Sequence, residues 1–207
     1  MNKLTTLFCG FLFTFVLAWL GLVIIPHFQF GQLQPFVNED TGESFPPFRS
    51  GLANRGKQVY EANGCIYCHS QQVRPDYLSA DMARGWGARR SVARDYIYDK
   101  PHLLGTMRTG PDLSNIGVRQ PSEAWHHEHL YAPQSKSIGS TMPPFRYLYK
   151  IQKIQGEVSP NALKLTAEDA PAEGYEVVPT AEAVALVAYL KSLSQNYSLP
   201  EAKLSTE

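Results

Sequence analysis

The sequence predicts an all-α protein in which one membrane-crossing helix precedes a loop-rich helical domain. Three observations carry this. Leu4 to Ile25 is apolar and free of charge, "PTAEAVALVAYLKSL" near the carboxyl end repeats its apolar residues at helical spacing, and the stretches between break into loops and short helices. With 15 glycines and 15 prolines among 207 residues, much of the chain is turn.

The apolar run comes first. At ~1.5 Å rise per residue it is long enough for the roughly 30 Å hydrocarbon layer, which makes membrane lipid its partner. A cleaved signal peptide fits less well, because its apolar core runs about 7–15 residues and ends in a small-x-small site. This run continues into the bulky exit "VIIPHF". Residues 4–25 are therefore expected to be an uncleaved anchor, with Cys9 a small apolar residue on it. Only Lys3 precedes the run, and the next basic residue is Arg49, a thin bias towards an outward-facing domain.

Residues 26–48 have no steady period and read as an irregular tether. A folded domain is expected over 49–193. "SGLANRGKQVYEANGC" forms its first helix, with Leu52, Val59 and Tyr60 to one side and Gly64 at its end. In the last helix Thr180 caps the start, Glu182 suits the first turn and Lys191 the last. The stretch 156–179 is cut by Pro160, Pro171 and Pro179 and reads as a surface excursion, and 194–207 as a loose polar tail. Nineteen basic residues balance nineteen acidic ones, so bulk charge supplies no argument for nucleic acid, and none is expected as a partner.

The chemistry lies in "GCIYCH", residues 64 to 69. Cys65-x-x-Cys68-His69 is the pattern of covalent c-type haem attachment: two thiols one turn apart meet the two vinyl-derived carbons, and the next imidazole meets the iron. A redox dithiol would need a surrounding βαβ pattern. Structural zinc would need four ligands, and only two cysteines lie outside the anchor. One covalently bound haem c is the expected cofactor. In bacteria such haem is attached outside the cytoplasmic membrane, in agreement with an outward domain.

The second axial position has several candidates: Met82, Met107, Met142, His102, His126, His127 and His129. Met142 stands out because Pro143 and Pro144 stiffen the loop that would carry its thioether to iron. His126 and His129 share a helix face in "WHHEHL", but their first expectation is structural hydrogen bonding. In "RTGPDL", Gly110 and Pro111 form a bend whose carbonyl suits the other ring nitrogen of His69, and Arg108 suits a haem propionate. Arg74, Arg84, Arg89, Arg90 and Arg94 concentrate positive charge for propionates, a partner or solvent.

Together, "TGPDL" after the cysteine motif, a Met-Pro loop and the terminal "VALVAYLKSL" helix resemble class I cytochrome c. More narrowly, "RGKQVYEANGCIYCHSQQVRP", "YDKPHLLGTMRTGPDLSNIGVR" and "WHHEHLYAPQSKSIGSTMPPFRYL" resemble the mono-haem cytochrome c subunit (subunit II) of cbb3-type cytochrome c oxidases. The resemblance implies Cys65 and Cys68 as attachment points, His69 and Met142 as axial ligands, and Pro111 as the carbonyl partner of His69. It implies an electron-relay subunit that is not itself catalytic. Its partners would be a large haem b/copper catalytic subunit and a di-haem cytochrome c subunit or soluble cytochrome c donor. It would be single-pass in the bacterial inner membrane, with the haem domain periplasmic. Two other readings stay open: the anchored mono-haem subunit of nitric oxide reductase, and a catalytic or gas-sensing haem protein with an open axial site.

Overall fold

The computed structural model describes residues 2–204. The chain forms two units, one reaching to Pro46 and including Val92–Asp99, the other comprising Pro47–Ser91 and Lys100 onward.

In the first unit, α1 (Lys3–Trp19), a π-type turn (Leu20–Ile24) and α2 (Ile25–Phe30) form one continuous helix, Lys3–Phe30. With a mean hydropathy of 2.5 and none of its apolar window buried, it is long and apolar enough to span a membrane. Pro26 does not end it. Proline brings no N–H to the ladder, and the widened turn just before it takes up the missing bond. Beyond the helix, the expected irregular tether contains a small hairpin, β1 (Phe36–Val37) with β2 (Ser44–Phe45), in register Phe36↔Phe45. Gly42 closes its turn at φ +70, a conformation that favours glycine.

The second unit is built on two helices. α3 (Gly51–Ala62) starts where the Ser50 side chain accepts from Ala53 N–H at 3.2 Å, and α7 (Ala181–Ser192) where Thr180 accepts from Ala183 N–H at 3.3 Å. The buried face of α3 is Ala53, Gly56, Lys57 and Tyr60, whereas Leu52 is largely exposed. Gly56 accounts for this rotation of the expected face. A Cβ there would lie 1.8 Å from the Ala185 carbonyl oxygen, so α7 approaches at the one position without a side chain. Tyr60 meets Tyr189 edge-on, with centroids 5.4 Å apart. Leu186 and Leu148, each 1% exposed, contribute roughly 1.5–3 kcal/mol apiece by burial.

Three short helices, α4 (Ile116–Arg119), α5 (Glu123–Tyr131) and α6 (Pro133–Lys136), complete the helical set. The described residues are mostly helical, but the all-α expectation needs correction. β3 (Tyr149–Lys153) pairs antiparallel with β4 (Tyr175–Pro179), Tyr149 opposite Pro179. Val177 and Val178 are buried on β4, and the excursion between the strands hid their pairing from any local pattern.

The loose tail is a second correction, as far as it is described; residues 205–207 lie outside. Leu199 is 1% exposed. Arg89 donates to the Tyr197 carbonyl at 2.7 Å and stacks over its ring, Arg90 donates to the Glu201 carbonyl at 2.9 Å, and Gln195 N–H reaches Asn115 Oδ1 at 2.7 Å. Two of the clustered arginines thus hold the chain's own carboxyl-terminal segment.

Candidate haem-binding site

Asn63 ends α3, its side-chain amide donating to the Val59 carbonyl at 2.7 Å, and Gly64 turns the chain at φ +68. A single tight turn follows: Cys68 N–H and His69 N–H both reach the Cys65 carbonyl, at 3.2 and 3.0 Å. Both cysteines are free thiols, Cys65 half-buried and Cys68 exposed. Burial pushes the Cys65 thiol up to about 11, so it is protonated at neutral pH.

His69 Nδ1 lies 2.8 Å from the Pro111 carbonyl oxygen. A carbonyl only accepts, so Nδ1 carries the proton and the neutral ring keeps its lone pair on Nε2. Burial lowers the His69 pKa, against the opposing pull of the Pro111 bond, and so favours the neutral form that a metal requires. Gly110 is the seat of the ring. Its N–H donates to the Cys68 carbonyl at 3.0 Å, and a Cβ on it would fall 2.3 Å from His69 Cε1.

Behind this turn, "CHSQ" and "RTGPDL" lock together through buried polar groups. The Asp112 carboxylate accepts from Ser70 Oγ (2.6 Å), Gln72 N–H (2.8 Å) and Ser114 N–H (2.8 Å). Arg108 donates to Ser70 Oγ (2.8 Å), Asp81 Oδ1 (2.6 Å) and the Gln72 carbonyl (2.7 Å), and lies over the Trp86 ring. Asp81 and Asp112 are both fully buried. Burial alone would raise the Asp81 pKa, but the hydrogen bonds from Arg108, Ser79 and Arg74 N–H outweigh it and hold the carboxyl below the usual range. Arg108, the residue expected to pair with a propionate, is thus already held by protein groups. All three of its nitrogens are engaged, and two carboxylates already balance its charge.

Met142 is half-buried against the same apolar core that carries Cys65, Ile66 and Phe145. Its N–H reaches Ser140 Oγ at 3.2 Å within the loop, and Phe145 N–H reaches the Leu130 carbonyl at 2.8 Å, which ties the far end of the Met-Pro loop to α5. Met107 is 58% exposed and His102 lies on the surface. The histidines of α5 form no metal cluster among the described residues. His126 Nε2 binds the Gln120 carbonyl at 2.8 Å, and His127 Nδ1 the Tyr149 hydroxyl at 3.1 Å. His129 stacks flat on Trp125, centroids 4.7 Å apart.

The family model described as cytochrome c oxidase, mono-heme subunit/FixO matches residues 2–167. The chain belongs to the FixO family. No curated protein matches it. FixO membership implies one haem and association with the catalytic subunit of an oxidase.

The residues present fit that cofactor. Two unpaired cysteines that can bond the vinyl-derived carbons, with an imidazole whose Nε2 lone pair is available and a thioether as iron donors, suit haem c. Among the described residues, Arg119 Nε and His129 Nδ1 are buried nitrogens without a protein hydrogen-bond partner. Burial lowers the Arg119 pKa and pushes His129 down to about 4, and each is close enough to His69 for their charges to interact. Arg119 also donates to the carbonyl of Asp112, next to the carbonyl that holds His69. Sequence reading missed Arg119, because nothing in "NIGVR" sets that arginine apart from those that fix the carboxyl-terminal segment. It also missed Asp81, whose partner Arg108 is distant in sequence.

Proposed function

We propose that this FixO-family chain is the electron-relay subunit of a cbb3-type oxidase, built on a class I cytochrome c-like domain. Cys65 and Cys68 would attach the haem through thioether bonds, and His69 Nε2 and the Met142 thioether would hold its iron. A bound haem supplies one iron that cycles between ferrous and ferric. The chain's own contribution is to position and tune. The Pro111 carbonyl sets the tautomer and plane of His69, Gly110 gives the ring its seat, and the Arg108–Asp81–Asp112 knot keeps both motif segments in place. Arg119 Nε and His129 Nδ1 would be available to hydrogen-bond the haem carboxylates.

Helix Lys3–Phe30 anchors the chain in the bacterial inner membrane, with the haem domain on the periplasmic side. Electrons arrive from a di-haem cytochrome c subunit or a soluble cytochrome c and leave towards the haem b/copper catalytic subunit. The observation that carries this reading is the single turn of Cys65, Cys68 and His69, with Nδ1 of the imidazole held at 2.8 Å by Pro111.

Purification in mild detergent tests it. Acid-acetone-washed polypeptide is expected to retain one haem mass, lost in the Cys65→Ser/Cys68→Ser variant, and copper with haem b is expected to co-purify. Non-haem iron in place of copper points to a nitric oxide reductase instead. Met142→Leu is expected to abolish the far-red absorption band of the oxidised protein. An unchanged band removes Met142 as ligand.

A further inference from the structure

The excursion between β3 and β4, residues 154–174, is pinned at several points. Ile154 N–H meets the Gly174 carbonyl at 2.9 Å and closes its base. The buried Glu176 carboxylate accepts from Ser159 N–H (2.7 Å), Ser159 Oγ (2.5 Å) and Gln152 Nε2 (2.7 Å). Leu163 N–H reaches the Val177 carbonyl at 2.9 Å, and Asp169 accepts from Arg146 at 2.5 Å. A strap therefore runs from β4 at Leu163 to Arg146 at Asp169. Arg146 directly follows the Met142-Pro143-Pro144-Phe145 loop.

Leu165 lies between those two pins. Leu163 and Leu165 are half-buried on the apolar core that also carries Met142, Phe145 and Cys65, whereas Lys164 between them is exposed. Two leucines that share a side by alternation, with a lysine pointing away, make an inward apolar face on an otherwise polar segment. Neither β4 pairing nor the Glu176 staple requires leucine at these positions.

We propose that Leu163 and Leu165 are positioning residues that wall the Met142 side of the haem pocket against water and hold the Met-Pro loop in place. This rests on the reading of Met142 as axial ligand. A water-poor wall disfavours the extra positive charge of the oxidised state, so the strap raises the reduction potential.

Redox titration of the full-length, haem-loaded chain in detergent tests the wall. In Leu163→Ala/Leu165→Ala, the ferrous-to-ferric ratio at fixed ambient potential is expected to fall about tenfold, equivalent to about 59 mV for a one-electron couple. The far-red band is expected to weaken, while Lys164→Ala leaves both readouts unchanged. A double variant that binds haem with wild-type potential and band overturns the proposal. Where the double variant does not accumulate with haem, the single Leu165→Ala decides: a lowered potential supports the wall, and an unchanged one overturns it. Met142→Leu separates the two failures. If it leaves the band intact, the ligand reading falls and takes the wall with it; if it abolishes the band and the strap variants move nothing, only the wall falls.

Discussion

Replacing Gly110 by alanine tests the seat of His69. The added Cβ would lie 2.3 Å from Cε1, 2.8 Å from Nδ1 and 2.9 Å from Nε2 of the ring. Ordinary carbon contacts sit at about 3.5–4.0 Å, so more than ~1 Å of overlap must be relieved. The ring cannot retreat freely, because its Nδ1 is held 2.8 Å from the Pro111 carbonyl. Nor can Gly110 move away while its N–H bonds the Cys68 carbonyl at 3.0 Å. Overpacking costs about 1–3 kcal/mol, and loss of the His69–Pro111 bond about 1 kcal/mol more. A destabilisation of about 2–4 kcal/mol is expected. Urea unfolding of the haem-loaded chain, followed by far-UV circular dichroism, reads this as a midpoint about 1–2 M lower at unchanged slope. The haem spectrum should change with it. A loss below about 0.5 kcal/mol, the size of a neutral surface change, together with a native spectrum refutes the seat.

Two further outcomes follow from the same packing. Gly56→Ala places a Cβ 1.8 Å from the Ala185 carbonyl oxygen and 2.8 Å from Tyr189 Cβ, obstacles on the facing helix that cannot swing aside. It should cost about 3 kcal/mol despite alanine's helix propensity advantage of about 1 kcal/mol, and an unchanged thermal midpoint would disprove the close approach of α3 and α7. Asp81, whose folded-state pKa is depressed, stabilises the fold fully above the unfolded carboxyl value of about 3.9, and this stability fades as pH falls through the lower folded value. Asp81→Asn should therefore be less stable than wild type at pH 7 and show a shallower acid limb in denaturant midpoints taken from pH 7 to 3; parallel limbs would show that Asp81 is not the titrating group.

Much of the candidate site's first turn was legible because its information is local. Cys65, Cys68 and His69 need only one turn of chain to converge, and a glycine at 64 ends the preceding helix whatever packs around it. The long apolar helix was legible because an uncharged run declares its preference for hydrocarbon residue by residue. Helix α7 announced itself through its cap and apolar spacing. The face of α3 was misread for a nonlocal reason. Leu52 looks like a core residue in isolation, but the approach of Ala185 to the small Gly56 turns the contact face away from it. The partners of Arg108 were hidden in the same way, since its acceptors come from two separate stretches, Ser70 with Gln72 and then Asp81.

Residue order alone thus settled what neighbours in the chain present together: two cysteines a turn apart, an imidazole beside them and an apolar helix ahead of them. Folding in three dimensions settled which of many similar arginines ends among carboxylates and which is left with an unmatched buried nitrogen. It also turned the excursion after β3 into a pinned strap and its tail-end counterpart into a clamped segment. The division has one cause. Buried charges and hydrogen bonds are satisfied by partners distant in sequence, and a local pattern holds no record of which partner arrives.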